Sequence, residues 1–190
     1  MLGNVYLGRV QRVLPGMQAA FVDIGESRSA FMGAREARLL AAGAKDVVDD
    51  PDAPLPDISK CVHEGQAVLV QVIKDPVNEK GARVTASVGL AGRNLVYVPS
   101  RATDAFSRRI SDDVEKDRLA QMMDRLRASG TVGPEGGFIL RTAALGATEK
   151  EIAEDAAGLQ HVWQAFSDLD GGGDHKVPSL QYEDQGPVVR

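Results

Sequence analysis

The sequence predicts an α+β fold: a five-stranded Greek-key β-barrel followed by a small mixed α/β unit. Three observations lead there. Five short runs rich in Val, Ile and Phe, punctuated by Gly and Pro turns, fill the first 90 residues. One long connection, 34–65, separates the third run from the fourth. After about residue 90, helical periodicity alternates with short apolar runs.

In chain order, strands are expected at 4–14, 18–24, 28–33, 66–74 and 82–90, with turns at "LPGM" (14–17) and "IGES" (24–27). The 34–65 insertion holds three prolines and an aspartate run in its middle and reads as a mobile loop, with a short helix at "DISKCV" (57–62). Five strands with one long insertion match an OB-fold over 1–90. Residues 91–169 form the second unit. It has short strands at 94–99 and 105–110, and a helix over 112–128 that puts Leu119, Met122, Met123 and Leu126 on one face. Another strand follows at 136–143. Thr148 and Glu151 then make a capping box that opens a helix with an apolar stripe through Ile152, Ala156, Leu159, Trp163 and Phe166. Residues 170–190 read as a flexible tail, Gly-rich at first and strand-like at its end, with no obvious partner.

The net charge is −5, but residues 45–57 hold five aspartates and one lysine. That segment alone carries −4, so the other 177 residues carry −1 and leave room for basic clusters. No run approaches the roughly 18 apolar residues of a membrane span, and no secretory leader is read. Cys61 is the single cysteine, so neither an internal disulfide nor a Cys-x-x-Cys clip is expected, and a cytoplasmic setting fits. His63, His161 and His175 are scattered, and a proline-broken aspartate loop is a poor scaffold for a metal. No active site is read.

Strand parity places Ala20, Val22 and Ile24 on one face and Phe21 with Asp23 on the other. Phe21 and Phe31 on adjacent strands make a candidate stacking platform, with Lys74 and Lys80 as candidate phosphate contacts and Arg83 close by. Parity leaves a second reading open, in which either ring closes the end of the core.

The stretch "GNVYLGRVQRVLPGMQAAFVDIGESRSAFM" (3–32) resembles the start of the RNA-binding domain of the ribonuclease E/G family, most of all its ribonuclease G branch. The resemblance continues through "EGQAVLVQVIKDPVNEKGARVT" (64–85), "LAGRNLVYVP" (90–99), "SRRI" (107–110) and "GGFILRTAA" (136–144). It implies a barrel of the S-one RNA-binding type followed by a 5′ sensor, a pocket preferring RNA with a 5′-monophosphate. It also implies stacking by Phe21 and Phe31, and RNA contact by Lys80. The phosphate-end contacts it implies are Gly92, Val96, Arg108, Arg141 and Thr142. The chemistry agrees: Arg141 ends an apolar run where a fixed guanidinium can meet a phosphate in two-pronged fashion, and Gly92 permits close backbone approach.

The resemblance further implies that the family cleaves RNA, in ribosomal RNA maturation and messenger decay, through a later deoxyribonuclease-I-like domain whose aspartates hold Mg²⁺. The chain as given is expected to be catalytically inert, to need no cofactor itself, and to self-associate weakly if at all. The tail should be unpaired, because its expected partner domain is not read in the sequence. A stand-alone RNA-binding protein using only the barrel is the alternative. A third reading is a protein-docking module using the Trp163/Phe166 stripe.

Overall fold

β-branched side chains that recur every second residue build the first core, because such side chains pack well on a pleated surface. Val10, Val22, Val70, Val72 and Val84 all point into it, together with Met32. The computed structural model describes residues 1–42, 52–167, 169 and 175–186. Two compact units result: Met1–Val88 joined by the C-terminal segment, and Gly89–Ser167.

The first unit contains β1 (Val5–Leu14), β2 (Ala19–Asp23), β3 (Ala30–Gly33), α1 (Ala34–Ala37), α2 (Ile58–Cys61), β4 (Ala67–Lys74) and β5 (Arg83–Thr85). Strands run in the order β1-β2-β3-β5-β4, and β4 pairs back onto β1 to close the barrel. Only β3 and β5 are parallel within it. This closed five-stranded barrel is the OB-type architecture expected, and closure leaves no open edge in the ring. Ten-residue β1 makes it possible, pairing β4 through Val5–Arg9 and β2 through Arg9–Leu14. Asp57 caps α2 by accepting from the Ser59 N–H at 2.9 Å, so the short helix expected at 57–62 is there.

The second unit contains β6 (Leu90–Ala91), β7 (Leu95–Val98), β8 (Ala105–Phe106), α3 (Asp113–Ala128), β9 (Gly137–Leu140) and α4 (Glu149–Gln164). Its four-stranded sheet has the order β6-β7-β9-β8. Leu95, Phe138 and Leu140 are buried with Leu119 and Met123 of α3 and Ile152 of α4. Asp112 caps α3 by accepting from the N–H groups of Val114 and Glu115. The Thr148–Glu151 capping box opens α4 as its sequence requires.

Three expectations need correction. The run 82–90 is not one strand: it ends at Thr85, and Leu90 starts the second sheet. The strands expected at 105–110 and 136–143 shrink to β8 and β9, because a turn follows Phe106 and a 3-10 turn takes over at Thr142–Ala144. The tail is not unpaired throughout. β10 (Ser179–Tyr182) pairs antiparallel with Val5–Leu7, where β1 has run past the end of β2. The centre of the long insertion, residues 43–51, lies outside the described residues, as do 170–174 and 187–190. Three of the five aspartates of the acidic run, Asp46, Asp49 and Asp50, fall there.

Candidate nucleic-acid interface

Phe21 and Phe31 face each other across β2 and β3 in direct register, half-buried, on the outside of the barrel. Ala20, Val22, Ala30 and Met32, their chain neighbours, are fully buried in the core, so the end-of-core reading is excluded for both rings. The rings meet edge to face with centroids 5.9 Å apart. Arg83 lies over Phe31 with its guanidinium carbon 5.4 Å from the ring centroid. Glu36 steadies that arginine at 3.1 Å.

These side chains line a groove of about 920 Å³. Lys74 and Lys80, the two expected lysines, both border it. So do Arg83, noted from sequence only as lying close by, and Arg12 and Arg28, which sequence reasoning did not single out. Against these five cations stand two carboxylates, Asp75 and Glu79, and Glu79 is paired with Arg28 at 3.1 Å. The groove is therefore net positive in a chain that is net negative, which is the local condition phosphate binding needs. Gly81 lets the wall close up, since a Cβ there would collide with the Ser29 carbonyl oxygen. Met17 at the rim is 62% exposed and adds an apolar surface beside the rings.

In the second unit, the sheet brings most of the five expected phosphate-end residues to one end of β9. Arg141 Nη1 donates to the Gly92 carbonyl at 2.7 Å. The Arg141 N–H donates to the Asn94 carbonyl at 2.8 Å. The Ser107 N–H donates to the Leu140 carbonyl at 2.8 Å, which sets exposed Arg108 next along the chain. Thr142 follows Arg141 and is exposed. Val96 lies further into the sheet, in register with Ile139.

A residue not anticipated from sequence organises this end. The Asp155 carboxylate, on α4, accepts from the N–H groups of Arg93, Asn94 and Leu95 at 3.2, 2.9 and 3.0 Å. It also packs so closely on Gly92 that a Cβ there would strike it. Glycine at 92 thus has a second reason besides ligand approach. The signal for Asp155 was weak, because an acidic residue in an amphipathic helix usually faces water.

No helix among the described residues is long and apolar enough to cross a membrane. Among the described residues no three His, Cys, Asp or Glu side chains gather as a metal site. His161, inside α4, is exposed.

The chain is similar to known ribonucleases. A model of the ribonuclease E/G family matches residues 89–190. Ribonuclease G of Salmonella typhimurium is 42% identical over the whole chain, which covers 36% of that protein. Ribonuclease G of Escherichia coli K12 is 43% identical with the same coverage. Ribonuclease E of a Nostoc species is 35% identical over 87% of the chain, or 22% of that protein. The chain spans about a third of the length of the ribonucleases G it matches.

Proposed function

We propose, since the chain belongs to the ribonuclease E/G family, that its barrel binds single-stranded RNA and its second unit senses a 5′-monophosphate. In this reading it is the RNA-binding and end-sensing portion of a ribonuclease G- or E-type endoribonuclease acting in cytoplasmic RNA processing. The observation that carries the reading is the Phe21–Phe31 pair, set on the outside of a closed barrel within a groove bordered by five cations. Single-strand binders combine such stacking rings with a positive groove, each stacked base being worth roughly 1–3 kcal/mol.

Support for end sensing comes from Arg141. Its guanidinium is held by the Gly92 carbonyl through one N–H, Thr142 follows it in the chain, and Arg108 follows Ser107, whose N–H meets the Leu140 carbonyl. A fixed guanidinium meets phosphate oxygens through the donors that remain. A terminal monophosphate carries more charge than an internal diester, so a site built this way favours the end of a chain.

The test is fluorescence anisotropy with one short A/U-rich RNA made with a 5′-monophosphate and again with a 5′-hydroxyl. Tighter binding of the monophosphate is expected, and Arg141→Ala should erase the difference while leaving most of the affinity. Equal binding of both RNAs by the unaltered protein would leave a barrel-only RNA binder.

A further inference from the structure

The rings and cations of the groove are not scattered around it. Arg12 on β1 is in register with Phe21 on β2. Phe21 is in register with Phe31 on β3, Phe31 with Arg83 on β5, and Arg83 with Lys74 on β4. One residue from each of the five strands therefore stands in a single row, Arg–Phe–Phe–Arg–Lys, running across the strands. All five border the groove. With neighbouring strands about 4.8 Å apart, the row is roughly 19 Å long.

Two β-bulges create its ends. In β1 the register slips between Val10, paired with Val22, and Arg12, paired with Phe21. Plain alternation would put Arg12 on the same face as buried Val10. The extra residue, Gln11, turns it outward instead. In β4 the register slips between Val72, paired with Val84, and Lys74, paired with Arg83. Here the extra residue is Ile73, 43% exposed, and the slip turns Lys74 away from the core that Val72 enters. Bulges re-aim side chains in this way, and the one in β4 leaves apolar Ile73 partly exposed to do so. Arg12 and Lys74 have no hydrogen-bond or ion-pair partner for their side chains among the described residues, so both cations are free to meet an anion.

We infer that this row is the track of the RNA: the strand crosses the β-strands, bases stack on Phe21, Phe31 and the guanidinium plane of Arg83, and Arg12 and Lys74 take phosphates at its two ends. The inference rests on the RNA-binding reading and adds Arg12 and Arg83 as contact residues with different tasks. Arg83 is already held over Phe31 by Glu36, so it enlarges the stacking surface. Arg12 stands beyond the rings and acts through charge alone.

Salt dependence separates the two tasks, because each phosphate contact on a single strand contributes about 0.7 to the slope of log affinity against log salt. The experiment measures anisotropy of a labelled uridine octamer with the whole chain across a salt series. Arg12→Gln should weaken binding severalfold and lower the slope by about 0.7. Arg83→Lys keeps the charge and loses the plane, so the slope should hold while affinity falls. Phe21→Ala should fall about 5- to 150-fold with its slope unchanged. Arg12 is exposed and unpaired, so its variant reports on binding and not on folding. If Arg12→Gln and Arg83→Lys both bind as the unaltered protein does while Phe21→Ala is weakened, the row is overturned and RNA binding stands. If Phe21→Ala and Phe31→Ala also bind normally, the RNA reading of the groove falls, and the row falls with it.

Discussion

In the proposed reading, the barrel groove and the β9 end of the second unit both present arginine to an anion, under opposite conditions. Along the groove, Arg12 is untethered and the rings beside it offer broad faces. At the β9 end, Arg141 is held by a carbonyl at 2.7 Å, and the loop that supplies that carbonyl is held in turn by Asp155. Free cations beside flat rings accept any strand that passes, since every base has a face to stack and every nucleotide a phosphate. A tethered guanidinium accepts only a phosphate that arrives at one place. The proposed function thus divides breadth and selectivity between the two units, and the division can be attacked from either side.

The largest effect should come from Phe138→Ala. This ring is fully buried in the second unit, packs against Tyr97 at a centroid distance of 4.9 Å, and lies under the guanidinium of Arg127. Truncation of a buried phenylalanine costs about 3–5 kcal/mol, a large share of what a unit of this size has to lose. Denaturant unfolding followed by near-UV signals should show the second unit melting early. Discrimination between RNA 5′ ends should vanish while groove binding persists. A variant that lost both together would mean the two sites do not act separately.

Asp155→Ala should do the same thing more gently. Removing the carboxylate leaves three backbone N–H groups without their acceptor, and hydrogen bonds to a charged group contribute about 1.5–3 kcal/mol each before compensation by water. The loop carrying Gly92 should loosen, and the preference for the 5′-monophosphate should shrink toward that of Arg141→Ala. Asp155→Asn keeps one carbonyl acceptor and should fall between. Amide chemical shifts of Arg93, Asn94 and Leu95 give a readout independent of RNA. Normal discrimination with unmoved amide shifts would show that the loop holds its shape by itself.

Sequence reading succeeded where the cause was local. Period-two alternation puts Val22 and Met32 on one face and Phe21 and Phe31 on the other, leaving open only whether a ring closed the end of the core, and the barrel followed from five such runs. It failed at Arg12 for the same reason: parity places that side chain with Val10, and a bulge is invisible to parity. The available sign was the charge itself, an arginine at a core position two residues after a buried valine. Contacts across long sequence separations were not legible from pattern at all. Arg141 meets Gly92 from 49 residues away and Asp155 reaches Asn94 across 61, so only family resemblance marked Gly92 and Arg141, and nothing marked Asp155. The strand character of the tail was legible and its partner was not, because the edge of β1 that receives β10 lies at the other end of the chain.

The smallest predicted effect concerns charge that serves structure alone. Glu115, in the first turn of α3, receives both Nε and Nη2 of Arg118, at 2.7 and 2.9 Å, and the Gly146 N–H at 3.1 Å. Arg118 also reaches the Ala147 carbonyl at 2.9 Å, so the cluster ties α3 to the segment that leads into α4. These donors, the arginine first, hold the Glu115 carboxyl down at about 2, against an ordinary 4.5. The folded state therefore binds this proton less readily than the unfolded chain. Its contribution to stability is complete above about pH 4.5 and is lost as the pH falls toward 2. The pair is partly exposed, so the contribution is modest and weakens with salt. Urea midpoints of the unaltered protein and of Glu115→Gln should differ at pH 6 and converge by pH 2.5. A gap that stayed constant over that range would mean the ionised carboxylate adds nothing beyond its shape. Groove binding should not distinguish the two proteins at pH 6, which sets this structural arginine apart from the ones offered to RNA.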